Sequence, residues 1–250
     1  MRILILIIGF LSLSTCTISY NSNQIPLGYN YNTERTVKYL PRSSFLHVLS
    51  KEYTEYCFSY NDKEHCVIFD SPTYSMGSSF IVYNTKSGSL VMTAAHVCRT
   101  TTAGMKQKLI LTDLVGEEYD ATILEQDSKR ANDLCLLHAK KLYNPPVKLA
   151  LNGPLPGAKL FNIAAPAGIF NKNMVPILEG RYNGVSFTDS AMYSIPAAGG
   201  SSGSMVLNNN FELIGMIHSL HIRFPTVTVG PRFKIISQFI RKGISKYSDL

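Results

Sequence analysis

From Gly77 to Val229 the chain is a succession of short apolar runs, broken by Gly- and Pro-containing turns at roughly 8–12-residue spacing. The runs fall at 80–83, 90–92, 108–112, 119–124, 134–138, 160–164, 175–182, 192–195, 205–207, 213–217 and 226–229. Read as strands, they argue for an all-β sandwich or barrel. The 17 Gly and 12 Pro agree, since many turns suit short strands better than a helical bundle. Only the tail departs from this pattern. Ile235, Ile236, Phe239, Ile240 and Ile244 recur at helical spacing and predict a C-terminal helix over 235–246.

The N-terminal end reads as an address. Met1-Arg2 and the apolar run from Ile3 to Leu11 give way to small polar residues, which predicts a secretory signal over 1–19. An uncleaved membrane anchor is the alternative, and Leu13-Ser14-Thr15-Cys16 faintly resembles a bacterial lipoprotein box. After signal removal no stable membrane insertion is expected, and the expected location is secreted, periplasmic or extracellular. Residues 20–70, Asn- and Tyr-rich up to 50, read as an arm or pro-region, and 71–250 as the folded domain.

Cysteine usage fits export. Loss of Cys16 leaves Cys57, Cys66, Cys98 and Cys135, an even number for an oxidising compartment. Cys57 and Cys66 bracket a polar stretch, as across a hairpin, and pairing them leaves Cys98 to pair with Cys135. Four reduced thiols and the other two connectivities stay open. No C-x-x-C spacing occurs, and His218 and His221 would face opposite sides of a strand, so no metal site is expected. The net charge of +7 invites a nucleic-acid reading, but Lys and Arg form no run of five or more. Nucleic acid is not expected as a partner, and the oligomeric state stays unknown.

Three segments carry chemistry. Thr93-Ala94-Ala95-His96 ends a strand in a histidine, Asn132-Asp133 leads into the apolar run Leu134 to Leu137, and Gly199-Gly200-Ser201-Ser202-Gly203-Ser204 sets serines among glycines. A hydroxyl nucleophile needs a base to take its proton, and imidazole does this near neutral pH. A carboxylate on the other ring nitrogen fixes the tautomer. The assignment is Ser202 as nucleophile, His96 as base and Asp133 as its partner, with Asp127 the competing acid. The N–H groups of Gly200 and Ser202 would form an oxyanion hole, and no cofactor is implied. Gly199-x-Ser201-x-Gly203 also matches the α/β-hydrolase elbow, although no strand–helix alternation precedes it.

In the order His96, Asp133, Ser202, these segments resemble the chymotrypsin-like serine peptidases, in the style of the bacterial Deg proteases and glutamyl endopeptidases. The likeness spans about 74–242 and includes Gly77 to Val82, Leu90 to Val97, Asp133 to Leu137, Gly200 to Ser204 and Leu213 to Gly215. It implies two six-stranded antiparallel barrels, about 71–142 and 143–234, with the triad in the cleft between them and the helix packed behind. It also implies protein or peptide substrates. Its primary pocket would be lined by Pro196 and Ala197 on one wall and Ile217 on the other, with His218 if the strand register slips. With no acid there, cleavage after small to medium apolar residues is expected. A catalytically inactive binding module on the same fold is the alternative. Because Cys98 and Cys135 each follow a triad position by two residues, their bridge fits a His96–Asp133 contact.

Overall fold

Buried and half-buried positions alternate along β1 (Phe45–Tyr53), which pairs with other strands on both edges. The structure is a computed structural model that describes residues 39–60, 63–68, 72–99, 105–221 and 224–250. The expected signal, Cys16 and the arm up to residue 38 lie outside the described residues. After β1 come β2 (Glu55–Tyr60), β3 (Lys63–Ile68), β4 (Thr73–Asn84), β5 (Gly88–Ala94) and a short helical turn, α1 (Ala95–Cys98). The strands β6 (Lys106–Thr112), β7 (Glu118–Asp127) and β8 (Leu134–Lys140) follow. Six of these close an antiparallel barrel in the order β1-β4-β5-β8-β7-β6, and β2 and β3 form a separate hairpin.

The barrel therefore begins at Phe45, not at 71 as the sequence suggested. Phe45, Leu46 and Val48 are buried in its core, but nine residues within Tyr- and Asn-rich text give little periodicity to read. Without β1 the edges of β4 and β6 would be open, since it is hydrogen-bonded to both.

The second half contains β9 (Lys159–Ile163), β10 (Ile177–Val185), β11 (Ala191–Tyr193), β12 (Ser204–Leu207), β13 (Leu213–Ile217), β14 (Ser219–His221) and β15 (Phe224–Gly230). Their order is β13-β12-β9-β10-β11-β15-β14. The two end strands are one run of chain interrupted only at His218, whose N–H turns to the Val229 carbonyl at 3.0 Å. Taken as a single bent strand, that run closes the sheet on itself and restores six strands. The fold is thus the chymotrypsin-like pair of barrels. The final helix, α2 (Phe233–Tyr247), buries Ile236 and Ile240, and its Lys242 and Lys246 reach Glu125 on β7 at 3.3 and 2.6 Å.

Cys57 and Cys66 face each other across the β2–β3 hairpin with sulfurs 2.10 Å apart. Cys98 on α1 meets Cys135 on β8 at 2.13 Å, which is the pairing expected.

Two histidines are set into the first barrel. His47 stacks on Phe170 at 5.2 Å between ring centroids, and His138 lies between Thr85 and Ser87. Burial pushes both below the ordinary imidazole value of 6.5, and Lys140 adds to the effect at His138. Below about pH 6.5 the unfolded chain therefore binds more protons than the native one, so stability falls as pH drops through 6.5 toward the native values. Urea unfolding at pH 7.5 and pH 5 is expected to give a smaller drop for His47→Gln/His138→Gln than for the native chain. An unchanged drop would refute this origin.

Candidate active site

The chain leaves β5, buried along its whole length, through Ala94 and Ala95, whose small side chains let α1 turn tightly at His96. Asp133 enters β8 from a left-handed backbone conformation, φ 48°, which short acidic side chains tolerate better than most. This turn aims three acceptors at α1. The Asp133 carbonyl accepts from the Ala95 N–H at 3.0 Å, Oδ1 accepts from the His96 N–H at 2.9 Å, and Oδ2 meets His96 Nδ1 at 2.5 Å. Burial pushes the Asp133 carboxyl up, but the hydrogen bonds and charge of His96 outweigh it and hold the group below its ordinary value. It stays ionised at neutral pH. Asp127, the competing acid, instead binds the Lys129 N–H at 3.2 Å and the Asn132 amide at 2.7 Å within its own turn.

Ser202 comes from the second barrel, on a loop clamped to the first by Ser78 of β4. The fully buried Ser78 hydroxyl donates to Gly200 O at 2.8 Å and accepts from Ala165 N–H at 3.0 Å. Its N–H donates to Ser202 O at 2.8 Å, and its carbonyl accepts from Thr93 Oγ1 at 2.8 Å. Gly203, at φ +86°, lies so close that an added Cβ would stand 2.1 Å from Ser78 O and 3.0 Å from Ala94 N. The loop thus packs within two residues of His96.

Ser201 is buried, and its Oγ accepts from Ala198 N–H at 3.3 Å, a brace inside the loop that argues against an exposed elbow serine. The Ser202 hydroxyl donates to the His218 carbonyl at 3.3 Å. Gly199 O accepts from Ala167 N–H at 2.6 Å and Ser201 O from Ser204 N–H at 3.1 Å. In a trans peptide the N–H opposes the carbonyl, so Gly200 N–H points away from Ala167 and Ser202 N–H away from Ser204.

A cavity of about 300 Å³ opens beside Ser202, lined by Ala197, Ala198, Ile217, Ser219 and Leu220 among others. Of the four residues expected at a primary pocket, Ala197 and Ile217 line this cavity and Pro196 and His218 do not. Side chains alternate along a strand, so Ile217 and Ser219 share the cavity face while His218 turns away, its Nδ1 3.9 Å from Asp133 Oδ2. Ser78 and Leu220 carried no signal as site residues. Ser78 stood among other small residues, and Leu220 falls beyond the break in the strand.

A family model described as a trypsin-like peptidase domain matches residues 77–216, more than half of the chain. The chain belongs to the trypsin-like peptidase family. This trypsin-like chain is 29% identical over 184 residues to the human serine protease HTRA3, covering 70% of itself and 38% of that protein. The serine endoprotease of Yersinia pestis, seen in a crystal structure, shares the fold with a TM-score of 0.60 at 15% identity. That match covers 85% of the trypsin-like chain and 66% of the Yersinia chain. The chain therefore spans less than two thirds of either relative.

The clamp yields a stability test. Ser78→Ala leaves a buried carbonyl and a buried N–H without partners and is expected to cost about 1–3 kcal/mol in urea unfolding. Ser79→Ala, which gives up one bond to Leu46 O at 3.1 Å, should cost about 1 kcal/mol or less. Equal costs would refute the special weight placed on Ser78.

Proposed function

We propose that the chain is a secreted serine endopeptidase that hydrolyses peptide bonds through an acyl-enzyme. The observation that carries this reading is the double hydrogen bond of Asp133 to His96, beside which Ser78 pins the Ser202 loop. Ser202 Oγ attacks the scissile carbonyl as His96 takes its proton. Asp133 holds the ring tautomer and steadies the imidazolium. The N–H groups of Gly200 and Ser202 stabilise the oxyanion. His96 then gives its proton to the leaving amine, and water hydrolyses the ester by the same steps in reverse. In the resting chain the Ser202 hydroxyl rests on His218 O, so attack requires a rotation about its Cα–Cβ bond. That resting contact favours the second reading, an inactive protease fold that binds peptides.

The cavity walls Ala197, Ala198, Ile217 and Leu220 support cleavage after small to medium apolar residues. A substrate ammonium or guanidinium would be desolvated there with no carboxylate to receive it. Export is supported by the two cysteine pairs. Among the described residues no helix is long and apolar enough to cross a membrane.

Labelling with a fluorophosphonate separates the two readings. The native chain should be labelled, while Ser202→Ala and His96→Ala should lose labelling and at least about a thousandfold in kcat. Ser201→Ala should keep both. A native chain that takes no label is the binding module.

Peptides differing only at the residue before the scissile bond test the pocket. Ala, Val or Leu should dominate there, and dominant cleavage after Arg, Lys or Glu would refute the apolar cavity as the primary site.

A further inference from the structure

His218 is a buried titratable side chain that the proposed reaction leaves without a role. It is 7% exposed, its Nδ1 lies 3.9 Å from Asp133 Oδ2, and its Nε2 is buried with no hydrogen-bond partner among the described residues. Its backbone carbonyl accepts from Ser202 Oγ at 3.3 Å. One residue therefore borders the acid with its ring and the serine with its main chain.

We infer that His218 is a positioning residue whose uncharged imidazole covers the open side of Asp133, keeps water from Oδ2 and so commits the carboxylate to His96. This rests on the reading of His96, Asp133 and Ser202 as a catalytic triad. Both Asp133 oxygens already accept from His96, but a carboxylate has about four lone-pair sites, so the remainder must face either water or another group. At 3.9 Å the ring is too far for a hydrogen bond and too near for a water to stand between. It acts as a cover. By excluding water it lowers the local dielectric and strengthens the attraction between Asp133 and a protonated His96.

The cover works only while it is uncharged, because an imidazolium would compete with His96 for the same oxygen. Burial pushes His218 below the ordinary imidazole value. Asp133 and a backbone hydrogen bond with Ala131 pull it back up, and His96 pushes it further down. Among the described residues, the titratable groups facing the ring are Asp133, from the turn before β8, and His96, from α1. Its chain neighbours Ile217 and Ser219 and its backbone partner Val229 do not titrate in this range.

Replacing the ring with a small side chain admits water to Oδ2 and screens its charge, so His96 gives up its proton more readily. For His218→Ala, kcat should fall about tenfold with KM within about twofold, a smaller loss than for a triad member. The acid limb of kcat/KM should move to lower pH. His218→Gln, neutral and nearly as long, should restore most of kcat and the native acid limb. Histidine-ring NMR titration of the same three proteins reads the His96 midpoint whether or not they hydrolyse peptides. The midpoint should drop in His218→Ala and return in His218→Gln. A midpoint unmoved in His218→Ala, or moved equally in both variants, overturns the role of His218. A native chain without hydrolysis overturns the protease reading, and the midpoint still decides the cover.

Discussion

The site depends on one buried serine. The larger apolar cluster runs from the first barrel into β9, β12 and β13 of the second, and a smaller one lies within the second barrel, but non-directional packing of this kind does not by itself fix where a loop of the second barrel meets a turn of the first. Ser78 supplies that register. Its hydroxyl donates to one second-barrel backbone group and accepts from another, Gly200 O and Ala165 N–H, and its main chain holds Ser202 O. A buried hydroxyl has few partners to choose from, so a fully satisfied one leaves little freedom to slide. Gly200 cannot retreat either, since a Cβ there would stand 2.4 Å from Ala165 O. The direction of the Gly200 and Ser202 N–H groups follows from this clamp and from the Ala167 N–H on Gly199 O.

A second constraint is the break at His218. A straight strand from Leu213 to His221 would continue beside β12 and leave β15 paired on one edge only, to β11. At His218 the N–H leaves the β12 side for Val229 O, so the strand passes from one edge of the sheet to the other. The same turn presents the His218 carbonyl to Ser202 and the ring to Asp133. Closing the barrel and building the site are therefore one structural event, and the residue at the bend must be compatible with both.

How much was legible in the sequence follows from whether the signal was local. His96, Asp133 and Ser202 sit in short segments that stand out in the sequence: a histidine ending an apolar strand, an acid opening one and a serine among glycines. The cysteine pairing was legible too, because a contact between His96 and Asp133 places Cys98 and Cys135 side by side. The start of the barrel was not, since β1 earns its place by pairing with β4 and β6, which lie far along the chain. The pocket was half legible. Alternation puts Ile217 on the face that lines the cavity and turns His218 away, but Ser219 and Leu220 follow the bend, and what lines a cavity past a bend depends on the tertiary path.

The Cys98–Cys135 bridge and the Asp133 hydrogen bonds join the same two segments, yet they do different work. The bridge closes a long loop, and in the chain-entropy model it acts on the unfolded state, restricting it by roughly 3–4 kcal/mol. Such a link keeps α1 near β8 but cannot aim an imidazole, because it attaches two residues beyond His96 and leaves the ring free to rotate. Aiming requires directional bonds. The Asp133 carboxylate makes them to the His96 N–H and to Nδ1 together, so ring and backbone are fixed by one planar group. Asparagine there would retain one acceptor oxygen and offer its amide to the other position, where the His96 ring would have to present an acceptor instead of a donor. The bridge would persist and the fold with it, while the ring proton would move from Nδ1 to Nε2.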